Sequence, residues 1–272
     1  MTGTRSTSPA PRDQGRAIDL EVEVEGTPEQ VWQAIATGPG VTAWYMPMTI
    51  DGRPGGTATL HLEGQSYPAT IDVWEPGRRF RYTAEGDRAL AFEFLVEARS
   101  GVTCVVRVVN SGFGEGDDWD AEYDAMQQGW PLFLRVLQLH LAHFPGQPCA
   151  PVLLQGMGVP SRDETWASLL DAVGLGSVVL HPGAAVTLRA PAAPDLTGTV
   201  DSVSRHAAWF LLDGPGPGVA FLAAEGDGPW TSVSAWCYLY GAGAEATAAA
   251  VAPPWRAHVA ERFPAEQPHA AG

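Results

Sequence analysis

Thr27-Pro28-Glu29-Gln30-Val31-Trp32-Gln33-Ala34-Ile35 reads as a helix start, and so, further along, does Ser161-Arg162-Asp163-Glu164-Thr165-Trp166-Ala167-Ser168-Leu169. In each, a hydroxyl residue suited to capping stands three positions before Gln30 or Glu164, and a Trp and an aliphatic residue recur at matching places. Pro28 suits the first helical position, where its missing N–H costs nothing. Outward from this pair further matches fall in the same order. Pro54-Gly55 with Thr59-Leu60 recurs as Pro182-Gly183 with Thr187-Leu188, and Thr70-Ile71-Asp72 recurs as Thr199-Val200-Asp201. Phe144-Pro145 and Phe263-Pro264 each close a helical stretch. Four matches in register predict an internal duplication; the alternative is two unrelated domains that share only the rules of helix capping.

The predicted domains are 17–146 and 147–264, joined near Pro145-Gly146-Gln147-Pro148, with loose tails at 1–16 and 265–272. In the first, Ile18, Leu20, Val22 and Val24 alternate with Asp19, Glu21, Glu23 and Glu25, the pattern of a half-buried strand with an acidic outer face. A helix at 28–36 follows, ending near Gly38-Pro39-Gly40, and then strands near 56–63, 67–74, 79–84, 90–98 and 102–110, split by short turns. Such a meander is antiparallel. A last helix over 118–143 places Tyr123, Met126, Trp130, Phe133, Leu134, Leu137 and Leu141 at helical spacing. Pro131 predicts a break or restart within it. The fold class is α+β: tandem units, each a curved antiparallel sheet wrapped around a long C-terminal helix.

The helix start at 27–35, Ala43-Trp44-Tyr45, Pro54-Gly55-Gly56, Trp74-Glu75-Pro76 before Arg79-Phe80, Asn110-Ser111-Gly112-Phe113 and Gly129-Trp130 together resemble the START-like SRPBCC superfamily with its helix-grip fold. Within it they look closest to homologues of the heat-shock-protein-90 ATPase activator. The resemblance covers roughly residues 17–145; 150–264 look like a degenerate second copy, lacking a counterpart of Trp44-Tyr45 and carrying Pro253-Pro254 in the last helix. It implies binding of an apolar small molecule (a lipid, polyketide or similar metabolite) between sheet and helix. It also implies two alternatives, a polyketide cyclase/aromatase-like enzyme and a chaperone-interacting module.

The strand alternation turns Ala58, Leu60, Leu62, Ala69, Ile71, Val73, Phe80, Tyr82, Phe92, Phe94, Val96, Cys104, Val106 and Val108 inward. Tyr82 and Cys104 alone in that set titrate, both weakly, whereas acid–base catalysis needs a carboxylate, His or Lys beside the substrate. Binding is therefore favoured over catalysis, with Tyr82, Arg53 or His61 as polar candidates if the registers differ. The expected ligand-binding set is Trp32, Trp44, Tyr45, Met46, Phe80, Tyr82, Phe92, Phe94, Phe113, Met126 and Trp130. The same side chains would equally make an ordinary packed core, and the sequence leaves both open.

Composition excludes other classes. The 16 cations are all Arg against 31 acids, a net charge of −15 with no basic run, which disfavours nucleic acid and anionic membranes. Hydrophobic residues are 45% of the chain, and no apolar run approaches the ~20 residues of a membrane helix. No secretory leader is legible. Cys104, Cys149 and Cys237 suit neither zinc nor a disulfide framework. The acidic run from Glu115 to Asp124 lacks EF-hand spacing, and His140 with His143 lacks a third ligand. No catalytic set, cofactor or metal is expected; a cytoplasmic location is, with a homodimer and an intramolecular pseudo-dimer both open.

Overall fold

The computed structural model describes residues 16–264 except 63, 87–88, 100–101, 160 and 227–230. The expected tails, and the turn read at Ser100-Gly101, lie outside the described residues apart from Arg16. The first unit runs β1 (Ile18–Glu25), α1 (Pro28–Ala36), α2 (Gly38–Thr42), β2 (Met48–Ile50), β3 (Thr57–Leu62), β4 (Gln65–Glu75), β5 (Arg79–Ala84), β6 (Ala91–Ala98), β7 (Thr103–Ser111) and α3 (Asp117–His143). The second runs β8 (Cys149–Gly158), α4 (Arg162–Ala172), β9 (Ala185–Leu188), β10 (Leu196–Val203), β11 (Ala207–Gly214), β12 (Gly218–Glu225), β13 (Thr231–Tyr240) and α5 (Ala244–Arg262). Each makes one antiparallel sheet, ordered β1-β7-β6-β5-β4-β3-β2 and β8-β13-β12-β11-β10-β9. The α+β tandem arrangement is thus present, the second unit lacking a counterpart of α2 and β2.

The parallel between the units extends to local hydrogen bonds. Thr27 and Gln30 form a reciprocal capping box on α1, and the Ser161 hydroxyl accepts from the Glu164 amide on α4. At the matched turns Gly55 N donates to Ile71 O while Ile71 N donates to Gly56 O; Gly183 N donates to Val200 O while Val200 N donates to Ala184 O. Both glycines hold positive φ, 71° and 83°, which a side chain there would strain. A β-bulge falls at the same place in each sheet, between Ile71 and Val73 and between Val200 and Ser202, leaving Asp72 and Asp201 as the extra residues.

That bulge corrects one expected face. Beyond it Val73 pairs with Arg81 on the outer side, while Trp74 turns inward and meets Trp32 and Phe80 edge-on at 5.1 and 5.2 Å. The expected break at Pro131 is also absent: α3 continues through it. Trp209 of β11 donates from Nε1 to Leu132 O one residue on, at 3.2 Å.

The long helix of the first unit is held between two sheets. From Trp130 to Leu141 it is buried on two faces, by residues that share one core with β1 and α1 in front and with Trp209, Phe221, Trp236, Tyr238 and Tyr240 behind, and only the stripe of Pro131, Arg135 and Gln138 reaches the surface. Those five project from the back of the second sheet. Its other face carries Val152, Leu154, Phe210 and Leu222 into a separate core closed by α4 and α5. The layers therefore run sheet, α3, sheet, helices.

Candidate functional site

Where α3 leaves the clamp, its first half overhangs a cavity of about 380 Å³ between the two units. Ala125, Met126, Gly129, Trp130 and Phe133 of α3 form its roof, Tyr45 and Met46 after α2 and Phe92 on β6 one wall, and β8, β12 and β13 the other. Period-two alternation decides what the second sheet presents there. The paired registers Leu153–Trp236, Gln155–Ser234 and Met157–Ser232 on one side of β13, and Phe221–Trp236 and Glu225–Ser232 on the other, grade that face from aromatic to polar along its length. The cavity takes its greasy end from Trp236, Phe133, Tyr45 and Trp130, and its polar end from Glu225, Ser232, Ser234 and Gln155.

The aromatic end is fixed from both units. Tyr45 stacks on Trp130 at 5.5 Å and meets Phe133 edge-on at 4.8 Å, and Phe133 reaches Trp236 at 5.2 Å. The backbone at that corner is held from the second sheet, where Tyr240 donates to Ala43 O at 2.6 Å and Tyr238 to Tyr45 O at 2.9 Å. Burial keeps all three phenols protonated: Tyr45 is pushed up to about 12, and Tyr238 and Tyr240 are raised well above the usual range.

At the polar end Ser234 donates to Glu225 Oε2 at 3.0 Å. Burial raises the Glu225 carboxyl above its ordinary range, opposed by that hydrogen bond and by the nearby Arg162 charge. Arg162 itself donates to Gly226 O at 3.1 Å and to Gln128 Oε1 at 2.9 Å, and Gly226 N donates to the same Gln128 oxygen at 3.0 Å. This knot pins the end of β12 to α3, so that Glu225 is carried by a held strand end rather than a loose loop.

Of the sequence-derived set, Tyr45, Met46, Phe92, Met126 and Trp130 come together in this cavity wall. Trp32, Trp44, Phe80, Tyr82, Phe94 and Phe113 sit deeper, each at most 7% exposed, in the core of the first unit. There Trp44 meets Phe94 edge-on at 6.2 Å, Phe80 stacks near Phe94 at 6.2 Å, and the Trp44 Nε1 donates to Ala34 O at 2.9 Å. Phe133 was expected only as an apolar position of the last helix, and Gln155, Met157, Glu225, Ser232, Ser234 and Trp236 were not anticipated. Their signal lay in the second unit, where Glu225 ends a run of apolar residues, Gly218–Ala224, as its one carboxylate. Arg53 and His61 lie away from the cavity: Arg53 pairs with Asp51 at 2.7 Å, and His61 lies within hydrogen-bond reach of Thr49 and Ser66. The three thiols are free and raised by burial, Cys237 to about 12. Among the described residues no helix is long and apolar enough to cross a membrane.

Residues 25–142 match the family model described as "Activator of Hsp90 ATPase homolog 1-like protein". That match lies within the first unit. Among solved structures, the Aha1 dimer from Colwellia psychrerythraea is 20% identical over 47% of this chain and 96% of its own, with a TM-score of 0.41. Two others extend over both units. The di-domain ARO/CYC BexL from the BE-7585A biosynthetic pathway is 13% identical over 93% of this chain and all of its own, with a TM-score of 0.44. DynU16, from the dynemicin biosynthetic locus, is 16% identical over 91% of this chain and 97% of its own, with a TM-score of 0.42. No curated protein matches this sequence.

Proposed function

We propose that this protein binds an apolar small molecule, of the lipid or aromatic polyketide kind, in the cavity between its two units, and that these are duplicated domains at 17–146 and 147–264. The observation that carries the reading is a wall of aromatic and Met side chains around about 380 Å³ with its polar groups gathered at one end. Small-molecule sites have this character, about 300–1,000 Å³ and mainly apolar with a few placed polar groups. The expected site between sheet and helix of the first domain moves outward to the domain junction. The deeper aromatics become its support, and the second domain becomes half of its wall.

The test uses a residue whose change leaves the core alone. A Cβ on Gly129 would stand 3.7 Å from Glu225 Oε1 and 3.8 Å from Phe133 Cε2, ordinary contact distances, so Gly129→Leu extends into the cavity. Leu also favours helix by up to ~1 kcal/mol over Gly. Native mass spectrometry of purified protein should find an apolar adduct near one per chain, or capture one from a mixed lipid and aromatic library. Gly129→Leu should lose it without loss of Tm. A clean mass for the unaltered protein after soaking would defeat the proposal.

Glu225 favours a second reading, a cyclase/aromatase-like enzyme. A buried carboxyl with a raised pKa beside an apolar cavity is suited to moving a proton, and a positioned poly-ketone needs little more for ring closure. Under that reading Glu225→Gln abolishes cyclisation of a poly-ketone thioester while binding persists; unchanged turnover would dismiss it.

A further inference from the structure

Glu225 is the one charged side chain in the cavity wall, and no Arg or His joins it among the described residues. Its carboxyl meets the cavity under the α3 roof, where a Cβ on Gly129 would stand 3.7 Å from Oε1. The groups around it are polar but neutral: Ser234 donates to Oε2, Ser232 lies opposite Glu225 in the strand register, and Gln155 lies opposite Ser234. Arg162 acts on the carboxyl from outside the wall, its own donors directed to Gly226 O and Gln128 Oε1. Ahead of Ala125 the roofing helix is acidic as well, with Asp117, Asp118, Asp120, Glu122 and Asp124, and Arg16 pairs with Asp120 and Asp124.

Resting on the binding proposal above, we infer that the bound molecule is an amphipathic organic cation, its aromatic body among Tyr45, Trp130, Phe133 and Trp236 and its protonated amine against the Glu225 carboxylate. An ammonium group carries donors only, which suits a polar end whose charged group is an acceptor. Its hydrogen bonds to a carboxylate are charge-assisted and about twice as strong as neutral ones. Burial in an apolar wall makes the Glu225 carboxyl resist ionisation, and a cation beside it reverses that. The amine therefore supplies a counter-charge that the wall itself lacks. A neutral polar head leaves the buried charge uncompensated, and a carboxylated ligand sets a second negative charge beside the first. The acids along the roofing helix act in the same sense at longer range, because a field of one sign draws the opposite charge towards a cleft.

Equilibrium dialysis of the full chain at neutral pH tests this with 2-naphthylmethylammonium, 2-naphthylmethanol and 2-naphthoate, which share one ring system and differ in charge. The ammonium should bind about tenfold or more tighter than either of the others, the size expected for a hydrogen bond to a charged group. Glu225→Gln keeps an oxygen for Ser234 to donate to, and should weaken the ammonium about tenfold. Binding of 2-naphthylmethanol should be nearly unchanged in that variant, which also shows that it is folded. Gln155→Lys, at an exposed position of the same polar end, should turn the preference towards 2-naphthoate. An alcohol or acid bound as tightly as the ammonium by the unaltered protein, or a preference that survives Glu225→Gln, would overturn the inference and leave apolar binding standing. Failure of every probe to bind the unaltered protein would remove both.

Discussion

His140 shows how one buried residue sets a pH limit on the fold. It is 2% exposed on α3, stacks on Tyr240 at 5.4 Å, and its Nδ1 has no partner. Desolvation lowers it from 6.5 to about 4, so the folded protein holds it neutral. The unfolded chain takes up this proton below about 6.5 and the folded chain only near 4, so stability falls as pH drops across that window and is unaffected above it. The full span is worth roughly 3 kcal/mol at 1.36 kcal/mol per pH unit. Glu225 runs the other way: its raised carboxyl favours the folded state at low pH and costs stability as pH rises. Thermal melts from pH 7 to 4 should therefore fall more steeply for the unaltered protein than for His140→Gln. Parallel curves would show that His140 is not the titrating group.

At the scale of elements, α3 and α5 end equivalent units yet are packed differently. In α5 the buried residues Ala244, Ala248, Val251, Trp255 and Val259 follow a single stripe, whereas from Trp130 on α3 is buried on two faces and keeps only the stripe of Pro131, Arg135, Gln138 and Ala142 towards the surface. Leu132, Val136 and Leu139 make the difference, and they were the legible sign that a second layer covers this helix, since a single packed layer asks for only one apolar stripe. A similar sign lay in β12 and β13. Strands of the first unit alternate because one face meets water, but Gly218–Glu225 and Thr231–Tyr240 are buried almost throughout, as a sheet covered on both faces must be. The elements of the first unit could be read from caps, turns and periodicity, to within a residue or two for most. The cavity could not, because half its wall comes from strands of the second unit. Polar contacts between the layers make this packing testable. Arg135 of α3 holds Asp201 of the β10 bulge through Nε and Nη2 at 2.9 and 2.8 Å, with the Asp side chain 13% exposed. Arg135→Met leaves that carboxylate only its bond from Ser202, and should cost about 2 kcal/mol by denaturant unfolding. Arg107→Met breaks an exposed pair with Asp19 on the outer face of the first sheet and should cost under ~1 kcal/mol. Equal losses would mean that the layers are not coupled through Arg135.

For the molecule as a whole, the layered order explains why two units stand where one has its own sheet and helix. The contact between them is head-to-tail: the helix of the first packs on the back of the second sheet, while α5 packs only within its own unit. Such contacts extend indefinitely unless something stops them. Charge opposes a further contact of this kind at the front, where Asp19, Glu21, Glu23, Arg81, Glu93 and Arg107 face outward from the first sheet; at the back α5 turns Glu245, Arg256, Glu261 and Arg262 outward among small exposed alanines. The layered order also gives Trp44-Tyr45 of the first unit its place, since that corner is where Tyr238 and Tyr240 dock from behind. Truncation after Gly146 would then uncover Leu132, Phe133, Val136 and Leu139 together, a larger apolar patch than a soluble monomer ordinarily carries. The shortened chain should melt below the full one, self-associate at micromolar concentration, and lose the apolar probe even where it folds, because Glu225 and Trp236 leave with the second sheet. Adding residues 147–264 in trans should restore both the melting temperature and the probe. A truncated chain that stays monomeric, melts at the temperature of the full chain and keeps the probe would place the binding site wholly within the first unit, and leave the second sheet as a passenger.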